Sequence, residues 1–107
     1  MKKTSYYRAM TSKKEGITFK KYDGYLITFC NGYGSVDLVI GKNDFNRWAI
    51  TEYSSGFLAH QLTFSTRKEA INAITFRHLK VIMDQMDRPF IIEAQNRLIR
   101  HKAALED

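Results

Sequence analysis

Cysteine is almost absent from the sequence, since Cys30 is the single example in 107 residues. An internal disulfide is therefore impossible, and this composition is typical of a protein from a reducing compartment. Long apolar runs are also missing, because none approaches the ~20 residues that a membrane-spanning helix needs. Residues 1–10 have the positive start of a signal peptide without the apolar stretch that must follow it. We therefore expect a soluble, cytoplasmic protein that makes no contact with membranes.

Recognisable catalytic and metal-binding patterns are lacking as well. None of the three histidines forms a metal-ligand motif with another histidine or with Cys30. Gly32 and Gly34 lack the third glycine and the following helix that a phosphate-binding loop requires. Cys30 reads as a small strand residue, and His78 reads as a packed residue on an apolar helix face. We expect a protein that is not an enzyme and has no catalytic residue, cofactor or metal. An enzyme that uses Cys30 or His78 is the alternative.

Positive charge is plentiful, and it is concentrated at the N-terminus. The formal net charge is +6. Residues 1–21 carry seven cations against one anion, whereas residues 22–63 carry two cations against four anions. We predict that residues 1–15 form a basic arm that is ordered only if something holds it. Residues 16–107 are predicted to form a single α+β domain.

Alternating apolar residues predict an antiparallel meander of four or five strands. The turn pairs Asp23-Gly24 and Asn31-Gly32 tolerate positive φ angles, so each predicts a tight hairpin. The predicted strands are residues 17–22, 25–30, 36–40, 47–53 and 57–62. The residues predicted to share the buried face are Ile17, Phe19, Tyr25, Ile27, Phe29, Val36, Leu38, Ile40, Trp48 and Ile50.

Two helices are predicted to follow the strands. Thr66 and Glu69 form a capping box, in which the threonine hydroxyl accepts the backbone N–H of the glutamate. The first helix should end near Met86, and Pro89 should begin the second helix because proline is tolerated in a first turn. The apolar stripe of the first helix is Ile71, Ile74, His78, Ile82 and Met86. Strands followed by helices predict an α+β domain with its helices packed on one face of the sheet.

The clustered cations indicate contact with nucleic acid. Lysine and arginine that neutralise phosphates release counterions, so they give affinity that falls steeply with salt. Tyr6 and Tyr7 in the basic arm could also stack on bases. The residues predicted to bind nucleic acid are Lys2, Lys3, Arg8, Lys13, Lys14, Lys20, Lys21, Arg67, Lys68, Arg97 and Arg100. For Arg67 and Lys68 at a helix start, the alternative is that Glu69 offsets them and nothing binds.

Residues 47–74 combine three local features: Trp48 on a strand, a Ser55-Gly56 turn, and F-S-T-R-K-E-A over residues 64–70 at a helix start. In these features the segment resembles small DNA-binding domains in the integrases of bacterial mobile elements. The resemblance implies a three-stranded sheet that enters the major groove and reads bases with strand side chains. Because Arg47 is the one fixed cation on the matching strands, we assign no base-reading role to residues 47–62.

A protein-binding regulator or inhibitor is the alternative function. Exposed aromatic residues give a large contact area at low entropy cost. The residues predicted to contact a protein are Tyr22, Tyr33, Tyr53 and Phe57. The sequence also resembles in style the short accessory proteins of Gram-positive phages and conjugative elements, some of which inhibit host nuclease systems. The expected partner is therefore nucleic acid or one protein, and an exposed sheet edge could also make a homodimer.

Overall fold

The structure is a computed structural model that describes residues 1–32 and 34–106, with Asn31 described by its backbone alone. The four strands form one antiparallel sheet in the order β1-β2-β3-β4, and three helices follow them. The predicted α+β class, a meander followed by C-terminal helices, is confirmed. The elements are β1 Lys2–Ser12, β2 Gly16–Asn31, β3 Gly34–Lys42, β4 Trp48–Glu52, α1 Arg67–Asn72, α2 Phe76–Gln85 and α3 Pro89–Glu106.

The predicted hairpin at Asp23-Gly24 is wrong, because β2 runs through both residues as one continuous strand. Gly24 pairs with Thr4 of β1 on one side and with Gly41 of β3 on the other. A Cβ on Gly24 would lie 2.7 Å from the Ile40 carbonyl oxygen. Glycine therefore occupies this position because it leaves room for close neighbours, and not because a turn needs a positive φ.

The second predicted hairpin, at Asn31-Gly32, is confirmed. The ladder between β2 and β3 continues to the pair Asn31 and Gly34, so two residues connect the strands. Tyr33, one of those two residues, lies outside the described part of the chain. A connection this short fixes the register of β2 against β3 along their whole length.

Residues 2–12 of the predicted basic arm form β1, which β2 holds along its entire length. The opposite edge of β1 reaches the turn after β4, where the Ala9 N–H donates to the Gly56 carbonyl oxygen at 2.8 Å. Gly56 has φ 79°, and a Cβ there would lie 2.8 Å from the Ala9 nitrogen. The sheet therefore curls until its first strand meets the chain that leaves its last strand.

The curl gives the sheet an inner face, defined by Tyr6, Val39, Ala49 and Thr51, all of which are buried. The strand register places these four residues on the same side. The Tyr6 ring lies against Gly41, where any Cβ would collide with its hydroxyl. Burial raises the pKa of Tyr6 above its ordinary value. Strand side chains thus fill the centre of the inner face.

The outer face carries the helices and the main core. Leu38, Ile40 and Ile50 are buried there, and the partly buried Ile27 and Phe29 pack against them. Helices α1 and α2 contribute Ala70 and Ile82 to the same cluster, which lies against β3 and β4. Helix α3 covers the other end of this face, where the His101 ring meets Tyr7 and Phe19. The alternation pattern predicted this face correctly at the core positions just named from β2, β3 and β4.

The first predicted helix is divided into α1 and α2. The Thr66 cap is confirmed, since its hydroxyl accepts the Glu69 N–H at 3.1 Å. Helix α1 ends at Asn72, and Thr75 caps α2 by accepting the His78 N–H at 3.2 Å. The single long helix was wrong because a second threonine cap satisfies the N–H groups that a helix start leaves unpaired. The predicted start of the last helix at Pro89 is confirmed.

The predicted fifth strand, residues 57–62, is also wrong. The chain returns beside β4 but touches it only through isolated bridges, Thr51 with Leu58 and Trp48 with Phe64. Between these bridges His60 bends the chain locally, because its Nδ1 accepts the Leu62 N–H at 3.0 Å. No helix within the described residues is long and apolar enough to cross a membrane.

Candidate nucleic-acid interface

Two aromatic rings on the outer face lie at the border of the core cluster. Tyr25 of β2 and Trp48 of β4 have ring centroids 6.3 Å apart and planes inclined by 38°. Each ring is half-buried. Between them runs β3, whose Ile40 pairs with Tyr25 and whose Lys42 pairs with Trp48. The core thus supports Trp48, and Tyr25 lies beside it as the strand partner of the buried Ile40.

Three cations surround these rings. The Arg67 guanidinium lies 4.3 Å from the Tyr25 ring centroid, and the Lys42 ammonium lies 5.5 Å from the Trp48 centroid. Lys3 of β1 is the strand partner of Tyr25. Cations at such distances interact favourably with the ring face by about 0.5–1 kcal/mol at exposed sites. We define the aromatic surface as Lys3, Asp23, Tyr25, Lys42, Trp48 and Arg67.

The aromatic surface borders an open depression of about 600 Å³. Asp23 is the one carboxylate among the described residues that line the depression, and its Oδ1 accepts the Ser5 hydroxyl at 3.0 Å. Three cations against this one anion make the aromatic surface positive. An anion that enters the depression would therefore find charged groups, apolar ring faces and sufficient space in one place.

The start of helix α1 determines where Arg67 lies. The Thr66 cap starts the helix, and Arg67 is its first residue. The Tyr25 ring of the sheet lies beneath the Arg67 guanidinium and makes a cation–π contact with it. Lys68 follows it and is exposed. The pair predicted from sequence is therefore divided: Arg67 belongs to the aromatic surface, and Lys68 lies beside it.

Several other predicted cations lie on the opposite side of the sheet. Arg8 is stacked over the Tyr22 ring at 4.5 Å, and Lys20 forms an ion pair with Asp44 at 2.9 Å. The hydrogen bond from Lys20, helped by one from the Tyr22 hydroxyl, lowers the pKa of Asp44. The same bond raises the pKa of Lys20. The register also gives Lys2 to this face, so these cations do not join Lys3.

The remaining predicted cations are scattered. Lys21 shares the outer face with Tyr25, whereas Lys13 and Lys14 lie in the turn between β1 and β2. Arg97 of α3 forms an ion pair with Glu93 at 2.9 Å. Arg100 of the same helix is exposed. The structure thus separates the predicted set into an outer-face group, an inner-face group, the first turn and α3.

Three of the residues predicted to contact a protein, Tyr22, Tyr53 and Phe57, are described by the structure. Tyr22 belongs to the inner face with Arg8. Tyr53 lies under the Lys102 ammonium at 4.7 Å. Phe57 meets the Phe90 ring edge-on, with centroids 5.9 Å apart. Tyr33 lies outside the described residues.

The position of Lys42 beside Trp48, and the contact between the Tyr25 and Trp48 rings, were not predicted from the sequence. Lys42 falls in the acidic central region, so its charge gave no signal. The predicted Asn31-Gly32 turn would not have found it, because a loop of those two residues sets Tyr25 opposite Leu38. The observed ladder instead pairs Asn31 with Gly34 and sets Tyr25 opposite Ile40, two positions before Lys42. Register, rather than composition, carries this information.

A second depression, of about 650 Å³, lies between residues 57–62 and α2. The His60 and His78 rings meet inside it, with centroids 4.7 Å apart. Burial, and then the neighbouring His78, lowers the pKa of His60. The exposed apolar residues around this depression are Leu58, Leu62, Val81 and Phe90. Among the described residues, no group of three or more histidine, cysteine or acidic side chains is placed to hold a metal ion.

No family model matches the chain, and no curated protein or solved structure matches it either. The resemblance of residues 47–74 to integrase DNA-binding domains therefore stays a prediction. The function is therefore inferred from the geometry of the aromatic surface.

Proposed function

We propose that this protein is a non-enzymatic nucleic-acid-binding protein whose outer-face cations contact phosphates. The observation that supports this function best is the gathering of Lys3, Lys42 and Arg67 around the Tyr25 and Trp48 rings. Phosphate contacts position a protein on nucleic acid and supply affinity that does not depend on sequence. A net charge of +6 adds long-range attraction to the same partner.

The outer-face cations are available for this contact. Within residues 1–32 and 34–106, ion pairs are formed by Lys20 and Arg97, and not by Lys3, Lys42 or Arg67. A phosphate at the aromatic surface would therefore displace no ion pair. The inner-face cations are different, because Arg8 and Lys20 already hold Tyr22 and Asp44. We thus assign the main contact to the outer face.

The test is a fluorescence-anisotropy titration of labelled duplex and single-stranded DNA at increasing salt. Each phosphate contact contributes a slope of about −0.9 to the dependence of log affinity on log salt for a duplex, and about −0.7 for a single strand. We expect Lys42→Gln and Arg67→Gln each to weaken binding and to reduce the slope by about one such contact. Lys80→Gln on α2 is the matched control, because it removes the same charge away from the aromatic surface.

Two results would contradict this function. The first is no binding at about 50 mM salt, where phosphate contacts are strong. The second is an equal loss of affinity in Lys80→Gln, which would show that only the total charge matters. Substitution is preferable to deleting the N-terminal residues, because β1 supplies Tyr6 to the inner face.

The second candidate function is a protein-binding regulator or inhibitor from a phage or mobile element. The apolar rim formed by Leu58, Leu62, Val81 and Phe90 favours it, because exposed apolar clusters mark protein contacts. It predicts a stoichiometric complex with one protein that survives nuclease treatment. The change Leu62→Gln should weaken such a complex and leave DNA binding unaltered, because it removes an exposed apolar side chain without a change in charge.

A further inference from the structure

We propose that the strand bound at the aromatic surface is single-stranded and that one of its bases stacks on the indole of Trp48. This inference rests on the proposed function and adds the kind of nucleic acid that the aromatic surface accepts. A duplex presents phosphates on its outside and keeps its bases stacked within. The cations alone would serve a duplex, and the two half-exposed rings would then have no role in binding.

The shape of the ring pair favours an unstacked base. The Tyr25 and Trp48 planes are inclined by 38°, so they form an open platform and not a parallel slot. Trp48 packs against the core, and both rings border the depression. On this platform Arg67 already covers the Tyr25 ring, and Trp48 is left to receive a base. Proteins that bind single strands combine such rings with a basic groove.

The cations complete the platform. Lys42 reaches the indole from its own strand position, and Arg67 covers the Tyr25 ring from α1. Lysine carries its charge on a flexible stem, so the Lys42 ammonium can leave the indole for a phosphate while a base takes its place. Arginine has a planar guanidinium that stacks on rings, so Arg67 can stay on Tyr25 and contact a phosphate with its remaining donors. Trp48 is therefore the ring best placed to receive a base.

The fluorescence of the protein gives a direct test, because Trp48 is the one tryptophan in the sequence. The full chain is titrated with oligothymidylate of about 12 nucleotides, a length within the range that single-strand-binding folds occupy. A second titration uses an abasic oligonucleotide of the same length and charge. A third uses a duplex of the same length.

Stacking predicts that oligothymidylate quenches the Trp48 emission and that the abasic strand does not. It also predicts at least about 5-fold tighter binding of oligothymidylate, the lower end of what one stacked base contributes. Equal affinity for the two strands without quenching would overturn the inference and leave the phosphate contact standing. Absence of binding to all three nucleic acids would instead overturn the proposed function itself.

Two variants refine the result. Trp48→Leu should reduce the preference for oligothymidylate over the abasic strand. Phe76→Ala is the matched control, because Phe76 is an aromatic residue 76% exposed at the start of α2, outside the aromatic surface. It should leave the preference unchanged, and an equal loss in both variants would count against stacking on Trp48. If Trp48→Leu does not fold, the comparison of abasic and thymidine strands on the natural chain still decides.

Discussion

The packing of the Tyr6 ring depends on the absence of a side chain at Gly41. Its ring is fully buried on the inner face, and its hydroxyl lies against the α-carbon of Gly41. The Arg8 guanidinium reaches the same hydroxyl at 3.4 Å. Glycine at position 41 is therefore a packing requirement, because any larger residue would occupy the space of the tyrosine ring.

We expect Gly41→Ala to lower the free energy of unfolding by about 1–3 kcal/mol, as overpacking of a filled core does. The measurement is urea denaturation followed by circular dichroism. Gly32→Ala is the control, since a Cβ there has no described atom within 4 Å. Equal stability of the two variants would show that the Tyr6 ring can move aside at no cost.

His60 provides a residue-scale prediction about pH. Its pKa is lowered first by burial and then by the charge of His78. Above the ordinary pKa of 6.5 the imidazole is neutral whether the chain is folded or unfolded, so its contribution to stability is fully present. As the pH falls below 6.5, the unfolded chain takes up the proton first, and stability is lost until the pH passes the lowered pKa.

We therefore expect the thermal midpoint to fall between pH 7.5 and 5.5 more in the natural chain than in His60→Asn. The asparagine oxygen can still accept the Leu62 N–H that His60 accepts at 3.0 Å, so the local bend is kept. Parallel curves for the two proteins would mean that other groups cause the pH dependence.

At the scale of the element, the two threonine caps have the same chemistry and different consequences. Thr66 and Thr75 each accept the N–H three residues later. Only Thr66 begins the helix whose first residue is Arg67, the cation over Tyr25. The cap of α1 therefore fixes both the helix and one member of the aromatic surface.

We expect Thr66→Ala and Thr75→Ala each to cost about 1 kcal/mol of stability, the usual value of a lost cap. Only Thr66→Ala should also weaken the binding of oligothymidylate. Chemical denaturation and the anisotropy titration measure the two effects separately. A loss of affinity that is the same in both variants would separate the cap from the aromatic surface.

The elements show which parts of the fold the sequence could reveal. Alternation identified β3 and β4, because each buries one side against the helices. The Asp23-Gly24 turn signal was wrong, because Gly24 makes room for the Ile40 carbonyl of β3 and for the Tyr6 ring of β1, a strand that was not predicted. The apolar spacing also failed near Thr75, where a cap divides the single helix that the spacing predicted. The error at Gly24 depends on neighbours in space that a local pattern does not contain, whereas the Thr75 cap is a local signal that was overlooked within the apolar stripe.

Part of the candidate site could be predicted from signals local to the sequence. Arg67 was found because the capping box is a local signal. Lys3 was found through the charge of the N-terminus. Lys42 was missed because its importance comes from pairing with Trp48 across two strands. A site assembled from β1, β2, β3, β4 and α1 requires the register of the whole sheet, and composition does not supply it.

At the scale of the molecule, the curl separates two groups of cations that look alike in the sequence. Lys20 and Lys21 are neighbours in the chain, yet the register gives Lys20 to the inner face and Lys21 to the outer face. Lys20 is held by Asp44. The N-terminal excess of charge is therefore not one surface, and only its outer part adds to the positive field around Trp48.

The hydrogen bond between Ala9 and Gly56 also sets an order of events while the chain is being made. β1 is synthesised before β2, β3 and β4, but Gly41 and Gly56, which lie against it, leave the ribosome later. Contacts so distant in sequence form slowly, because a long loop must close before they are gained. We therefore expect the Tyr6 ring to stay in solvent until β3 has paired with β2, although β1 is made before either of them.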